Sequence, residues 1–141
     1  MGAFVEQPLG AAVVRSMLVV LIVEDEAAVL LLAESVLQAV GYETISASTV
    51  GGAIALIEDA DQKIDLLFTD LGLQDRIEGG LEVGRAAANS RPGLPIVYTT
   101  GCGVTDAMVR LFVEPNGYIR KPYTDRQLLN AVTHLLTETP A

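Results

Sequence analysis

Six apolar residues in a row, LVVLIV at positions 18–23, constrain the fold of this sequence more than any other feature. The run is short, unbroken and β-branched, which is the composition of a strand covered on both faces in a parallel sheet. Polar Glu24, Asp25 and Glu26 end it. Over 27–40 apolar residues recur at Val29, Leu32, Val36 and Val40, a helical repeat, and Gly41 stands where a C-terminal cap belongs.

The same pairing then returns along the chain. Residues 43–47 read as a short strand, and 53–58 as the middle of a helix with Ile54 and Ile57 turned inward. Residues 64–69 read as a buried strand ending at Asp70, followed by a glycine-rich loop and a helix over 79–89. After Pro92 and Gly93 comes a strand over 94–99, then a helix over 104–113 closed by Pro115, Asn116 and Gly117. Tyr118 and Ile119 make a brief last strand, and Thr124 or Asp125 caps a final helix in which Leu128, Val132 and Leu135 share a face. Strict alternation of strands and helices implies right-handed crossovers: an α/β fold, a five-stranded parallel sheet, doubly wound, with five helices. Ligands of such sheets bind beyond the carboxyl ends of the strands.

Composition sets the outer limits. With 141 residues, half of them hydrophobic and 19% charged, the chain has material for one compact core and no room for a second ordinary domain. Residues 1–16 are weakly patterned and read as an N-terminal extension, with Met17 a possible natural start. Residues 17–137 form the domain and 138–141 a short tail. A net charge of −9 argues against nucleic acid or an anionic membrane surface as partner, since both would repel the chain. The apolar stretch over 8–23 is broken by Arg15 and Ser16, is too short to span a bilayer and lacks the basic start of a signal peptide. Cys102 is the sole cysteine and His134 the sole histidine, so neither a disulfide nor a structural zinc site can form within the chain, and a reducing cytoplasm is expected.

The chemistry lies just past the strand ends. Glu24 and Asp25 follow the first strand, Asp70 the third, Thr100 the fourth and Lys121 the fifth, so five polar residues converge on one edge. Carboxylates crowded together repel by roughly 4 kcal/mol per pair at about 4 Å and an effective dielectric near 20, and a divalent cation would relieve this. All-oxygen ligands with room for water suit Mg2+, which commonly bridges protein and phosphate. A nucleophilic carboxylate, magnesium and a lysine together describe phosphoryl transfer.

The segments LIVEDE, LLFTDLGL, LPIVYTTG and GYIRKPY, in this order and spacing, resemble the four signature segments of the response-regulator receiver family, over residues 17–137. The resemblance implies a flavodoxin-like fold of strand order 2-1-3-4-5 and a two-component phosphorelay function. Asp70 would be the phosphoacceptor, and Glu24, Asp25, Asp70 and the Gly72 backbone carbonyl would hold Mg2+. Lys121 would pair with the phosphoryl group, and Thr100 and Tyr118 would form the switch. A sensor histidine kinase or a histidine phosphotransfer protein would donate the phosphoryl group to a stand-alone, single-domain response regulator that signals by protein contacts. The sequence departs from the family in having Gln74 where many receivers have proline, and in a slightly longer loop over 74–80. By family position Cys102 and Gly72 border the site and would tune the lifetime of the acyl phosphate.

Each of these residues also has a plainer reading. Thr99 adjoins Thr100, although strand alternation sends the two side chains to opposite faces. Tyr118 reads equally as a half-buried strand aromatic, Cys102 as a small semi-buried hydrophobe and His134 as a surface helix residue. The segment 104–113 is rich in apolar residues, with Val104, Met108, Leu111 and Phe112 along one side and Val109 and Val113 beside them. What it leaves exposed offers a homodimer surface, or else is simply buried more deeply. Two other functions fit less well. An aspartyl-phosphate phosphatase would need a second aspartate where Gly72 stands, and a degenerate interaction module would not need the acidic set intact.

Overall fold

The structure, a computed structural model, describes residues 18–73, 78–101 and 103–138, with Glu138 described by its backbone alone. The expectations placed on residues 1–16, Met17, Gln74, Cys102 and the end of the tail lie outside the described residues.

Ten elements alternate along the described chain: β1 (Val19–Val23), α1 (Ala27–Ala39), β2 (Glu43–Ala47), α2 (Val50–Glu58), β3 (Leu66–Asp70), α3 (Gly79–Ser90), β4 (Ile96–Thr100), α4 (Asp106–Val109), β5 (Asn116–Arg120) and α5 (Asp125–Glu138). The strands form one sheet in the order β2-β1-β3-β4-β5, and every pairing is parallel. This is the doubly wound α/β architecture expected from the alternation, in the flavodoxin-like strand order that the resemblance implied, reversing beside β1.

The central strands β1, β3 and β4 are buried along their whole length, which explains the unbroken apolar runs. Leu21 and Val23 enter one core with Ala53, Ile57, Val83 and Tyr98, while Val20 and Ile22 enter the other with Ala33, Leu37, Leu128 and Val132. Each fully buried aliphatic side chain contributes roughly 1.5–3 kcal/mol, so these strands, which feed both cores, stabilise the fold from both faces.

Local signals set several ends. Gly41, at φ 104°, closes α1, and its N–H donates to Gln38 O at 3.0 Å. The Thr49 hydroxyl caps α2 by accepting the Gly52 N–H at 3.0 Å. Thr124 rather than Asp125 caps α5: its hydroxyl accepts the Gln127 N–H at 3.1 Å, and Gln127 Oε1 accepts the Thr124 N–H at 2.8 Å, a reciprocal capping box. Arg91, just past α3, donates to the carbonyls of Ile57 at 2.9 Å, Asp59 at 2.8 Å and Gln62 at 2.6 Å, clamping the end of α2.

Two readings need correction. The buried residues of α1 are Ala33 and Leu37, with Leu30 and Val36 packed beside them, whereas Leu32 is 67% and Val40 54% exposed. Two overlapping helical stripes run through this apolar helix, and the one containing small Ala33 packs on the sheet. The fourth helix is a single turn rather than a span over 104–113. After it the Leu111 and Phe112 N–H groups bond three residues back, to Met108 O at 2.9 Å and Val109 O at 3.0 Å, and Phe112 turns into the core to stack on Tyr98. Strand ends shift by smaller amounts: β4 runs to Thr100 and β5 covers five residues rather than two.

Candidate functional site

The parallel ladder carries the site residues to one edge. The Glu24 N–H donates to Ala47 O at 3.1 Å, Leu71 N–H to Thr99 O at 2.8 Å and Lys121 N–H to Thr100 O at 2.9 Å, so each chain leaves its strand still paired to a neighbour. Glu24 and Asp70 are buried, Asp25 is half-buried, and one carboxylate oxygen from each lies within 4.8 Å of the others.

Lys121 closes the group. Its Nζ lies 2.8 Å from Asp70 Oδ2 and 2.9 Å from Glu24 Oε1, with Glu26 Oε1 at 4.0 Å. The Glu26 N–H donates to Glu24 Oε2 at 3.1 Å, so Glu24 is held at both oxygens. The peptide bond from Lys121 to Pro122 is cis.

Burial pushes the Asp70 and Glu24 carboxyls up from their ordinary values, against the opposing hydrogen bonds and charge of Lys121. In Asp70 the neighbouring Asp25 charge adds to the rise. Burial alone would lower the Lys121 ammonium, but its bonds to Asp70 and Glu24 outweigh that and raise it. The ammonium therefore stays charged, while the carboxylates hold more negative charge than one lysine compensates.

An all-oxygen donor set of three close carboxylates with excess negative charge fits a hard divalent cation such as Mg2+. Gly72 reaches Asp70 through its backbone N–H, which bonds to the carboxylate. Thr100 is buried at the end of β4. Thr99, 1% exposed, falls on the opposite face by strand alternation, and its hydroxyl is the one buried side-chain atom among the described residues with no hydrogen-bond partner. Tyr118 is half-buried in β5, with its ring 6.2 Å from Phe112.

Three participants escaped the sequence reading. Glu26 follows the acidic pair directly and its charge was visible, but its reach to Lys121 was not. Tyr123 packs edge-on to Phe68 at 5.8 Å, and burial, with the Glu24 charge, pushes its phenol up to about 12. Gly80 backs β3: its N–H donates to Leu71 O at 2.9 Å, and a Cβ there would collide with the Asp70 carbonyl oxygen and stand 2.7 Å from Leu71 Cα. A glycine in the first turn of a helix gives no sequence signal for such a backbone contact.

Residues 20–133 match the family described as the response regulator receiver domain. The chain is 31% identical over 123 residues to the phosphate regulon transcriptional regulatory protein PhoB of Pseudomonas aeruginosa, an alignment covering 85% of this chain and 52% of that protein. It is 30% identical to the nitrogen assimilation regulatory protein NtrX of Azorhizobium caulinodans, covering 85% of this chain and 26% of that one. The chain thus spans about half and about a quarter of these two relatives. Among solved structures it resembles a response regulator receiver protein from Sinorhizobium medicae (TM-score 0.79, 30% identity, 87% of this chain and 97% of that chain). It also resembles a CheY-like receiver domain protein from Methanospirillum hungatei (TM-score 0.77, 31% identity, 87% and 96%).

Proposed function

The chain belongs to the response regulator receiver domain family of two-component systems, and on that premise we propose that it accepts a phosphoryl group on Asp70 from a histidine kinase or a phosphotransfer protein. The observation that carries this reading is the Lys121 ammonium bridging Asp70 and Glu24, with Asp25 completing a carboxylate cluster at the carboxyl edge of the sheet.

In the transfer an Asp70 carboxylate oxygen attacks the phosphorus of a phosphohistidine. An oxygen–phosphorus bond forms as the nitrogen–phosphorus bond breaks, and the electron pair returns to the donor's imidazole. Lys121 orients Asp70 beforehand and balances charge on the phosphoryl oxygens afterwards, and the Thr100 hydroxyl donates to one of those oxygens. Mg2+, held by Glu24, Asp25, Asp70 and the Gly72 carbonyl, would neutralise the phosphoryl charge when bound. Modification replaces the single carboxylate charge with an acyl phosphate of about two negative charges, a net gain of about one, and Thr100 and Tyr118 rearrange in response.

Two apolar surfaces serve this role. Leu31 and Leu32 are 63% and 67% exposed on α1, and a groove of about 490 Å3 beside them is lined by Val29, Val36, Tyr123 and Lys121. A helix of the phosphoryl donor would seat there, next to the acceptor. Near α4, Val109 and Leu111 are half-exposed, and self-association through this edge is the proposed output.

Incubation with acetyl phosphate and Mg2+, followed by intact mass, tests the reading. The native chain gains one phosphoryl group and Asp70→Asn gains none; gain in both would misplace the acceptor.

A further inference from the structure

Tyr98 is a polar-tipped aromatic in the middle of a fully buried strand, 0% exposed, where an aliphatic residue would meet the packing need. The fold makes room for its hydroxyl. A Cβ at Gly84, within α3, would stand 2.5 Å from the hydroxyl oxygen and 3.3 Å from Cζ. A mid-helix glycine is unfavourable relative to alanine, so α3 accepts a weaker residue in order to house the phenol.

The hydroxyl has a specific use. It accepts the Val113 N–H at 2.9 Å, so the segment leaving α4 is bound to the core by a side chain where a helical carbonyl would otherwise serve. The Phe112 ring stacks on Tyr98, with centroids 4.2 Å apart and planes at 23°, and its other neighbour is Tyr118 at 6.2 Å. Tyr98 and Tyr118 are direct partners in the β4–β5 ladder, so Phe112 contacts both members of one cross-strand pair. Thr100 lies two residues beyond Tyr98 on the same face of the same strand.

We propose that Tyr98 is a positioning residue of the switch: by tying Val113 and holding Phe112 it sets where Tyr118 rests, and it passes displacement of β4 at Thr100 on to residues 110–118. The proposal rests on the phosphoacceptor reading. It adds a component that the acceptor site does not contain, since Tyr98 touches none of the acidic residues or Lys121 in any contact described above. The ring provides the stack and the hydroxyl provides the tie, so Tyr98→Phe separates the two.

The test is amide exchange of the full chain, native and Tyr98→Phe, before and after acetyl phosphate with Mg2+. In the unmodified variant the Val113 amide is expected to exchange about tenfold faster than in the native chain, the effect of losing one buried hydrogen bond. Mass gain at Asp70 is expected to stay as in the native chain, while the phosphorylation-dependent change in exchange over 110–120 falls by at least half. Unchanged Val113 exchange would overturn the proposal, as would a full phosphorylation response in the variant. Gly84→Ala, which presses on the hydroxyl from α3, gives a second route. It should loosen Val113 alone but add little on top of Tyr98→Phe, where the closest approach relaxes from 2.5 Å at the hydroxyl to 3.3 Å at Cζ, and fully additive loosening would show that the effect does not run through the hydroxyl. A native chain that gains no mass refutes the phosphoacceptor reading itself, and the two failures are told apart by that mass.

Discussion

Lys121 is the residue on which the acidic cluster depends, because its ammonium bonds two buried carboxylates at once. Lys121→Ala leaves both uncompensated, and denaturant unfolding without divalent cation is expected to show a loss of roughly 3 kcal/mol. The loss should shrink with Mg2+, and phosphoryl transfer should slow about 100-fold or more in a mass-based time course. The pH dependence follows from the raised Asp70 and Glu24 carboxyls. Their folded forms hold protons more tightly than the unfolded chain does. Their stabilising contribution is therefore present below the unfolded carboxylate values and is lost as pH rises through the raised folded values. Without metal, the part of Tm due to this cluster should rise as pH is lowered from neutral into the carboxylate range, and the Tm gain from Mg2+ should fall in parallel. A metal-dependent Tm gain that grew on acidification would contradict this assignment of charge. At this scale the acidic residues and Lys121 were legible because strand ends in a parallel sheet share one edge. Gly80 and Tyr123 were not, since one acts through a backbone contact and the other through burial.

At the scale of elements, the strand runs and their alternation were readable because a strand buried on both faces has no polar position to blur its pattern. The helices were harder. In α1 the residues Val29, Leu32 and Val36 make as good a stripe as Leu30, Ala33 and Leu37, and only packing against the sheet decides between them. The segment after α4 was apolar enough to read as a long helix, but the helix stops after one turn and Phe112 turns inward to stack on Tyr98. Arg91 gives this scale its prediction, since one guanidinium serves three carbonyls of the α2 exit at once. Arg91→Ala is expected to lower stability by about 1–3 kcal/mol in chemical denaturation. Arg91→Lys should recover little of it, because an ammonium cannot match the planar fork.

The molecule as a whole carries a net charge of −9, and no helix among its described residues is long and apolar enough to cross a membrane. Attraction between copies must therefore come from apolar contact against like-charge repulsion. Leu111→Glu, at a half-exposed position, should abolish any phosphorylation-dependent dimer in sedimentation while leaving the mass gain at Asp70 intact. A dimer that survives this change would place the interface elsewhere. The fold class was legible from the chain at this scale, whereas the surfaces were not, because exposure is decided by which stripe each helix buries. Gly80 adds a direction to the whole. With α3 abutting the backbone of Asp70 and Leu71, β3 has no slack on that flank. On the proposed phosphoacceptor reading, charge arriving at the tip of β3 meets an unyielding neighbour in α3.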